Sequence, residues 1–97
     1  MLSQFSNPAK AQRNALNYLG KDAKLAISTR KDKKYMIKTP DGKTVHFGGM
    51  GYKDFTKTGD EEKKKNYLQR ARKIKGDWKP NPYSPNNLAI NILWSGD

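Results

Sequence analysis

One short stretch constrains this chain more than any other. Thr39-Pro40-Asp41-Gly42-Lys43 stands between two alternating segments, Tyr35-Met36-Ile37-Lys38 and Thr44-Val45-His46-Phe47. Proline presets φ at the first central turn position, aspartate suits the second, and glycine supplies the positive φ that follows. Such a turn pairs Thr39 with Lys43, Ile37 with Val45 and Tyr35 with Phe47. Tyr35, Ile37, Val45 and Phe47 then share one face, and Met36, Lys38, Thr44 and His46 share the other. Turn chemistry and alternation select the same register, so a β-hairpin is expected at the centre of the fold.

The flanks are read outward from it. Residues 1–7 are expected as an extended arm. Ser6-Asn7-Pro8 signals a helix from about Pro8 to Leu19, with Gly20 as its stop and a weak face of Ala11, Ala15, Tyr18 and Leu19. Leu25 and Ile27 alternate within Lys24-Leu25-Ala26-Ile27-Ser28-Thr29, which favours a third strand over a continued helix. After the hairpin, Gly48-Gly49-Met50-Gly51 has two readings: a loop that cradles phosphate, or a sharp corner. The lysine and hydroxyl of a nucleotide-binding loop are not at the required spacing, so the corner is preferred, anchored in the core by Tyr52 and Phe55.

Thr58 and Glu61 have capping-box spacing, and Asp60, Glu61 and Glu62 suit the positive end of a helix dipole. A basic helix over about Gly59–Lys75 is therefore expected, closed by Gly76. Its stripe of Tyr67, Leu68, Ala71 and Ile74 should pack on the Tyr35/Ile37/Val45/Phe47 face. A proline-punctuated linker covers residues 77–85, in which Ser84-Pro85 starts another helix. The apolar run Leu88–Trp94 either covers the sheet or docks on another protein. The expected class is α+β: a small antiparallel sheet of two or three strands packed by a basic helix, with short N- and C-terminal helices. The sections are 1–20, 21–76 and 77–97, all within one compact domain.

Composition now excludes some functions and favours others. With 34% apolar residues in 97, the core is thin and a partner or assembly could support it. Without cysteine there is no disulfide, thiolate zinc site or cysteine nucleophile. The N-terminus lacks a signal-peptide pattern and no apolar run is long enough to span a membrane, so a non-secreted protein is expected. His46 is the only histidine, and no serine, cysteine or second histidine accompanies it nearby in the sequence. Asp41 serves the turn, Asp54 stands alone, and Asp60-Glu61-Glu62 is explained by capping, so neither a metal nor another cofactor is expected, and an enzyme is not.

The net charge of +11 points instead to a polyanion, since self-repulsion on this scale opposes folding. Lys63, Lys64, Lys65, Arg70, Arg72 and Lys73 on the basic helix are the candidate phosphate contacts, and Lys38 and Lys43 on the hairpin extend the footprint. Contacts of this kind carry little sequence preference. DNA is preferred to RNA as the partner; anionic protein surfaces are the other candidate. The tail after residue 80 carries one charged residue, Asp97. Leu88, Ile92, Leu93 and Trp94 offer a second kind of contact, to other proteins.

The pattern Pro40-x-Gly42-Lys43-x-Val45-His46-Phe47-Gly48, then Gly51-Tyr52-x-Asp54-Phe55-Thr56, then Asp60 and the Tyr67/Arg70 helix, resembles a family of small basic proteins of unknown function. These are encoded by large double-stranded DNA viruses of algae and protists. The resemblance spans about Lys34–Trp94, including Trp78 and Leu93-Trp94. Other members carry a histidine shortly after the Thr56 position and another near Ala71 or Arg72. Here Lys57, Thr58, Ala71 and Arg72 stand on that ground, so a histidine-based site is not carried over. The resemblance implies a viral origin and a virion- or genome-associated role, in the particle or the infected host cell. Two functions follow as expectations: nucleic-acid binding without catalysis, and a minor capsid or cement protein that holds larger subunits together.

Overall fold

The computed structural model describes residues 2–95; Met1 of the expected arm and the last two residues of the tail, Asp97 among them, lie outside the described residues. The hairpin forms in the expected register. Strand β2 (Lys33–Lys38) pairs antiparallel with β3 (Thr44–Gly49), and Tyr35 stands opposite Phe47 and Ile37 opposite Val45. The turn closes through Gly42 N–H to Thr39 O at 3.0 Å and Thr39 N–H to Lys43 O at 2.8 Å, with Gly42 at φ +86°. Strand β1 (Leu25–Ile27) pairs antiparallel with β2, giving the sheet order β1-β2-β3. The protein is thus α+β, built on a three-stranded antiparallel sheet.

Helix α1 (Pro8–Leu19) starts and stops where its signals predicted: the Asn7 side chain accepts from Lys10 N–H, and Gly20 follows at φ +102°. Two of its polar side chains organise other elements. Gln12 accepts from Leu25 N–H at 3.0 Å and donates to Ala23 O at 3.1 Å, which fixes the start of β1. Buried Asn14 donates to Ile92 O at 2.8 Å and Ser95 O at 2.9 Å, so it satisfies carbonyls at a helix end that would otherwise lack partners.

The expected basic helix is shorter than predicted, ending at Ala71 rather than Lys75, and a separate turn of helix that was not foreseen precedes it. Helix α2 (Phe55–Thr58) is capped by Asp54 and ends at Gly59, which has the left-handed φ of +63°. Helix α3 (Glu61–Ala71) is capped by Asp60, whose Oδ1 accepts from Glu62 and Lys63 N–H. Thr58 does not cap a helix as expected; its hydroxyl accepts from Asp60 N–H and closes the turn between the two. Helix α4 (Pro85–Leu88) starts at Ser84 as predicted and runs on into a π-helical turn, Ala89–Leu93.

The arrangement of helices on the sheet departs from expectation. Tyr35, Ile37 and Phe47 are covered by Ala11 and Ala15 of α1 and by Leu88, Ala89, Ile92 and Leu93, not by α3. The reason is apolar area. Helix α3 offers a narrow stripe in which only Ala71 is buried, and Ile74 lies beyond its end, half exposed. The tail offers three large aliphatic side chains, each worth about 1.5–3 kcal/mol on full burial. The tail therefore takes the sheet. Leu88, Ile92 and Leu93 are buried in the protein's own core, which corrects their assignment as contacts for other proteins. Gly48 makes the fit possible: it has φ +81°, and a Cβ there would stand 2.7 Å from Leu93 Cδ1.

Residues 2–7 are not a free arm either. Leu2–Gln4 forms a turn of 3-10 helix, and Ser6 is buried. No helix among the described residues is long and apolar enough to cross a membrane.

Candidate functional site

The glycine corner turns out to be held by a buried ion pair. Lys34 Nζ lies 3.0 Å from Asp54 Oδ2, with side-chain exposures of 3% and 1%. Asp54 was expected to stand alone, because twenty residues separate it from its partner. Its second oxygen accepts from Thr56 N–H at 3.0 Å and from the Thr56 hydroxyl. The Thr56 hydrogen is committed to that carboxylate, so Ser6 Oγ, 3.1 Å away, must donate to Thr56 Oγ1. Tyr35 in turn donates to Ser6 Oγ at 2.7 Å. A directed chain of hydroxyls thus runs from Tyr35 through Ser6 and Thr56 to Asp54. Among the described residues no buried side-chain nitrogen or oxygen lacks a partner.

Burial pulls the Lys34 ammonium below its ordinary value, and the Asp54 carboxylate opposes that pull. Burial pushes the Tyr35 phenol up to about 12, with the Ser6 hydrogen bond opposing and the Asp54 charge adding to the rise. This sets an expected pH dependence. A phenol raised in the folded state contributes stability that is complete below the unfolded value, near 10, and is lost as pH rises through about 12. The stability gap between wild type and Tyr35→Phe should therefore narrow as urea midpoints are taken from about pH 9 to about pH 11. An unchanged gap contradicts the raised phenol.

Beside this network lies an open cleft of about 1030 Å³. One wall is the corner, Gly48 to Lys53. The other is α3, where Lys63, Asn66, Tyr67 and Arg70 follow one another at i, i+3, i+4 and i+7. Leu93 and Trp94 lie between them. Tyr67 stacks on Trp94 with ring centroids 4.3 Å apart and planes 9° from parallel. Burial raises the Tyr67 phenol above its ordinary value, and the Arg70 cation opposes the rise. Three further contacts seat α3: Ala71 is buried, Asn86 donates to Ala71 O at 3.2 Å, and Lys64 Nζ sits 4.5 Å above the Phe55 ring.

The eight cations named from sequence do not form one surface. Lys63 and Arg70 line the cleft, and Lys64 turns toward Phe55. Lys65 is exposed on α3, and Arg72 and Lys73 are exposed just past its end. Lys38 and Lys43 are at the hairpin tip, the opposite end of β2 from the corner, and Lys43 lies 3.9 Å from Asp41. Two residues of the cleft were missed as functional candidates. Lys53 was passed over because it stands outside any basic run. Tyr52 is expected in the core, yet it is 76% exposed; of the two aromatic residues expected to anchor the corner, Phe55 is the buried one. Among the described residues, Lys53, Lys63 and Arg70 have no carboxylate partner.

The matched part of the chain includes both cleft walls. A family profile described as "Family of unknown function (DUF5754)" matches residues 23–71, just over half of the 97. The chain belongs to this family. The DUF5754 segment begins just before β1 and ends with α3, so it holds the corner, the Lys34–Asp54 pair and the α3 stripe. Helix α1 and the tail that cover the sheet lie outside it. Neither curated proteins nor solved structures give a match.

One other polar pair is brought together by the DUF5754 sheet. Ser28 Oγ lies 2.7 Å from His46 Nδ1 and also accepts from Arg30 N–H at 3.0 Å. The serine was not visible beside His46 in the sequence. Its bond to Arg30 places it in the β1–β2 turn. Among the described residues no three His, Cys, Asp or Glu side chains gather as metal donors.

Proposed function

We propose that this chain is a non-enzymatic, virus-encoded protein that binds nucleic acid through its phosphates, using the cations of α3 and the corner. The observation that carries this reading is the charge at the cleft: Lys53, Lys63 and Arg70 line it, and no carboxylate among the described residues does. A net charge of +11 supports it from a distance, by raising the local concentration of any polyanion. The viral setting, in a virion or an infected cell, is supported by the resemblance of the Pro40–Gly48 and Gly51–Thr56 motifs. DNA is preferred to RNA on the same ground.

The cement-protein reading ranks second. Its support is the neutral apolar tail and the weak N-terminal helix, and both faces are occupied within the core, through Leu88, Ile92 and Leu93 and through Ala11 and Ala15. Anisotropy titrations of labelled oligonucleotides at several salt concentrations test the first reading. Binding should be sub-micromolar near about 50 mM salt and weaken steeply with added salt, since each phosphate contact contributes roughly 0.7–0.9 to the log–log slope. Absence of binding at low salt removes this function.

A further inference from the structure

We infer that the cleft is a site for single-stranded nucleic acid, in which a base stacks on Tyr52 while Lys53, Lys63 and Arg70 hold the flanking phosphates. The inference rests on the nucleic-acid reading above and adds the strandedness and the atoms that recognise it. Phosphate contacts alone would serve a duplex equally well. The additional observation is a solvent-exposed aromatic ring on the cleft wall beside the cations. Tyr52 is 76% exposed although Asp54, two residues on, is fully buried. The ring lies beside Gly49, where a Cβ would meet Tyr52 Cδ2 at 3.4 Å, an ordinary van der Waals distance, and most of its surface faces solvent.

A solvent-facing ring can take a base on its π face without displacing any core side chain. Every base has a π face, so such a platform works without sequence preference. In a duplex those faces are stacked on one another and are not available. The shape argues the same way. The cleft volume of about 1030 Å³ lies just above the range of roughly 300–1,000 Å³ for small-molecule sites, and the cleft is open, which suits a strand passing through. Asn66 and Gln69 on the α3 wall offer amide donors and acceptors to base edges. The stacked Tyr67–Trp94 pair gives that wall a rigid footing.

The test uses a fluorescein-labelled fifteen-nucleotide oligo-dT and a mixed-sequence duplex of about the same length, titrated at about 50 mM salt with wild type, Tyr52→Ala and Tyr52→Phe. Oligo-dT should bind at least about tenfold more tightly than duplex. Tyr52→Ala should weaken oligo-dT binding by about tenfold or more while leaving duplex binding and the salt slope unchanged, and Tyr52→Phe should restore it. Equal affinity for the two probes, or oligo-dT affinity indifferent to Tyr52→Ala, overturns the single-strand site while the phosphate-binding function stands. Failure to bind either probe overturns both. Tyr52 is exposed, so thermal unfolding of Tyr52→Ala should match wild type and confirms that the variant is folded.

Discussion

Neutralising either member of the Lys34–Asp54 pair alone should cost about 3–5 kcal/mol, a large share of the roughly 5–15 kcal/mol that holds a small domain folded. The pair is almost entirely withdrawn from water. Lys34→Met leaves a carboxylate buried without its counter-ion. Asp54→Asn keeps the oxygen that caps α2 and accepts from Thr56, yet leaves an ammonium uncompensated. Removing both charges together avoids either orphan. The double variant should therefore lose less than the sum of the singles, with a coupling of roughly 1–3 kcal/mol. Urea unfolding of the four proteins, read from midpoints at constant slope, measures this. Simple additivity would mean that the two groups do not act as a pair. The pair also has a positional consequence. It ties β2 to the end of the glycine corner, so it sets where Tyr52 and Lys53 stand relative to α3.

That pair shows why some of this fold was legible in the sequence and some was not. The hairpin was legible because its determinants are local. Pro40, Asp41 and Gly42 fix the turn, and alternation on each side fixes the register. The helix starts at Asn7-Pro8 and Ser84-Pro85 were legible for the same reason. Long-range pairing was not. Lys34 reads as one more cation in the run Lys31–Lys34, and nothing near it announces Asp54. Competition between helices for the sheet was also hidden. The α3 stripe and the tail both carry plausible inward residues, and only the greater aliphatic bulk of Leu88, Ile92 and Leu93 decides between them.

The candidate site follows that displacement. With the tail on the sheet, the stripe of α3 has Trp94 as its neighbour, and the space between helix and corner remains open as a cleft. A signal for it was present: Lys63, Asn66, Tyr67 and Arg70 recur at helical spacing. It is obscured because Tyr67 belongs equally to the apolar stripe of that helix, which reads as a packing face.

Reversing Lys63 and Arg70 together should weaken nucleic-acid binding far more than reversing Lys38 and Lys43. The two double variants, Lys63→Glu with Arg70→Glu and Lys38→Glu with Lys43→Glu, change the net charge by the same amount. Only their place differs. Five residue steps along β2 put the hairpin tip about 16 Å or more from the corner, beyond the Debye length of roughly 14 Å at about 50 mM salt. Each lost phosphate contact removes a factor of about 8–15 at about 50 mM salt, so losing two costs about 60- to 200-fold, and reversal costs more. The salt slope should fall by about two contacts for the α3 variant. For the hairpin variant the loss should be less than about tenfold, with a nearly unchanged slope, since Lys43 already lies near Asp41 and the tip is screened from the cleft. Equal losses in the two variants would mean that affinity follows overall charge and that no particular surface of this protein is the binding site. A larger loss at the hairpin would move the site to the tip and away from the cleft. The ratio between the two losses, measured on one oligonucleotide at one salt concentration, thus decides whether the cations of α3 form a site or merely contribute to a positive field.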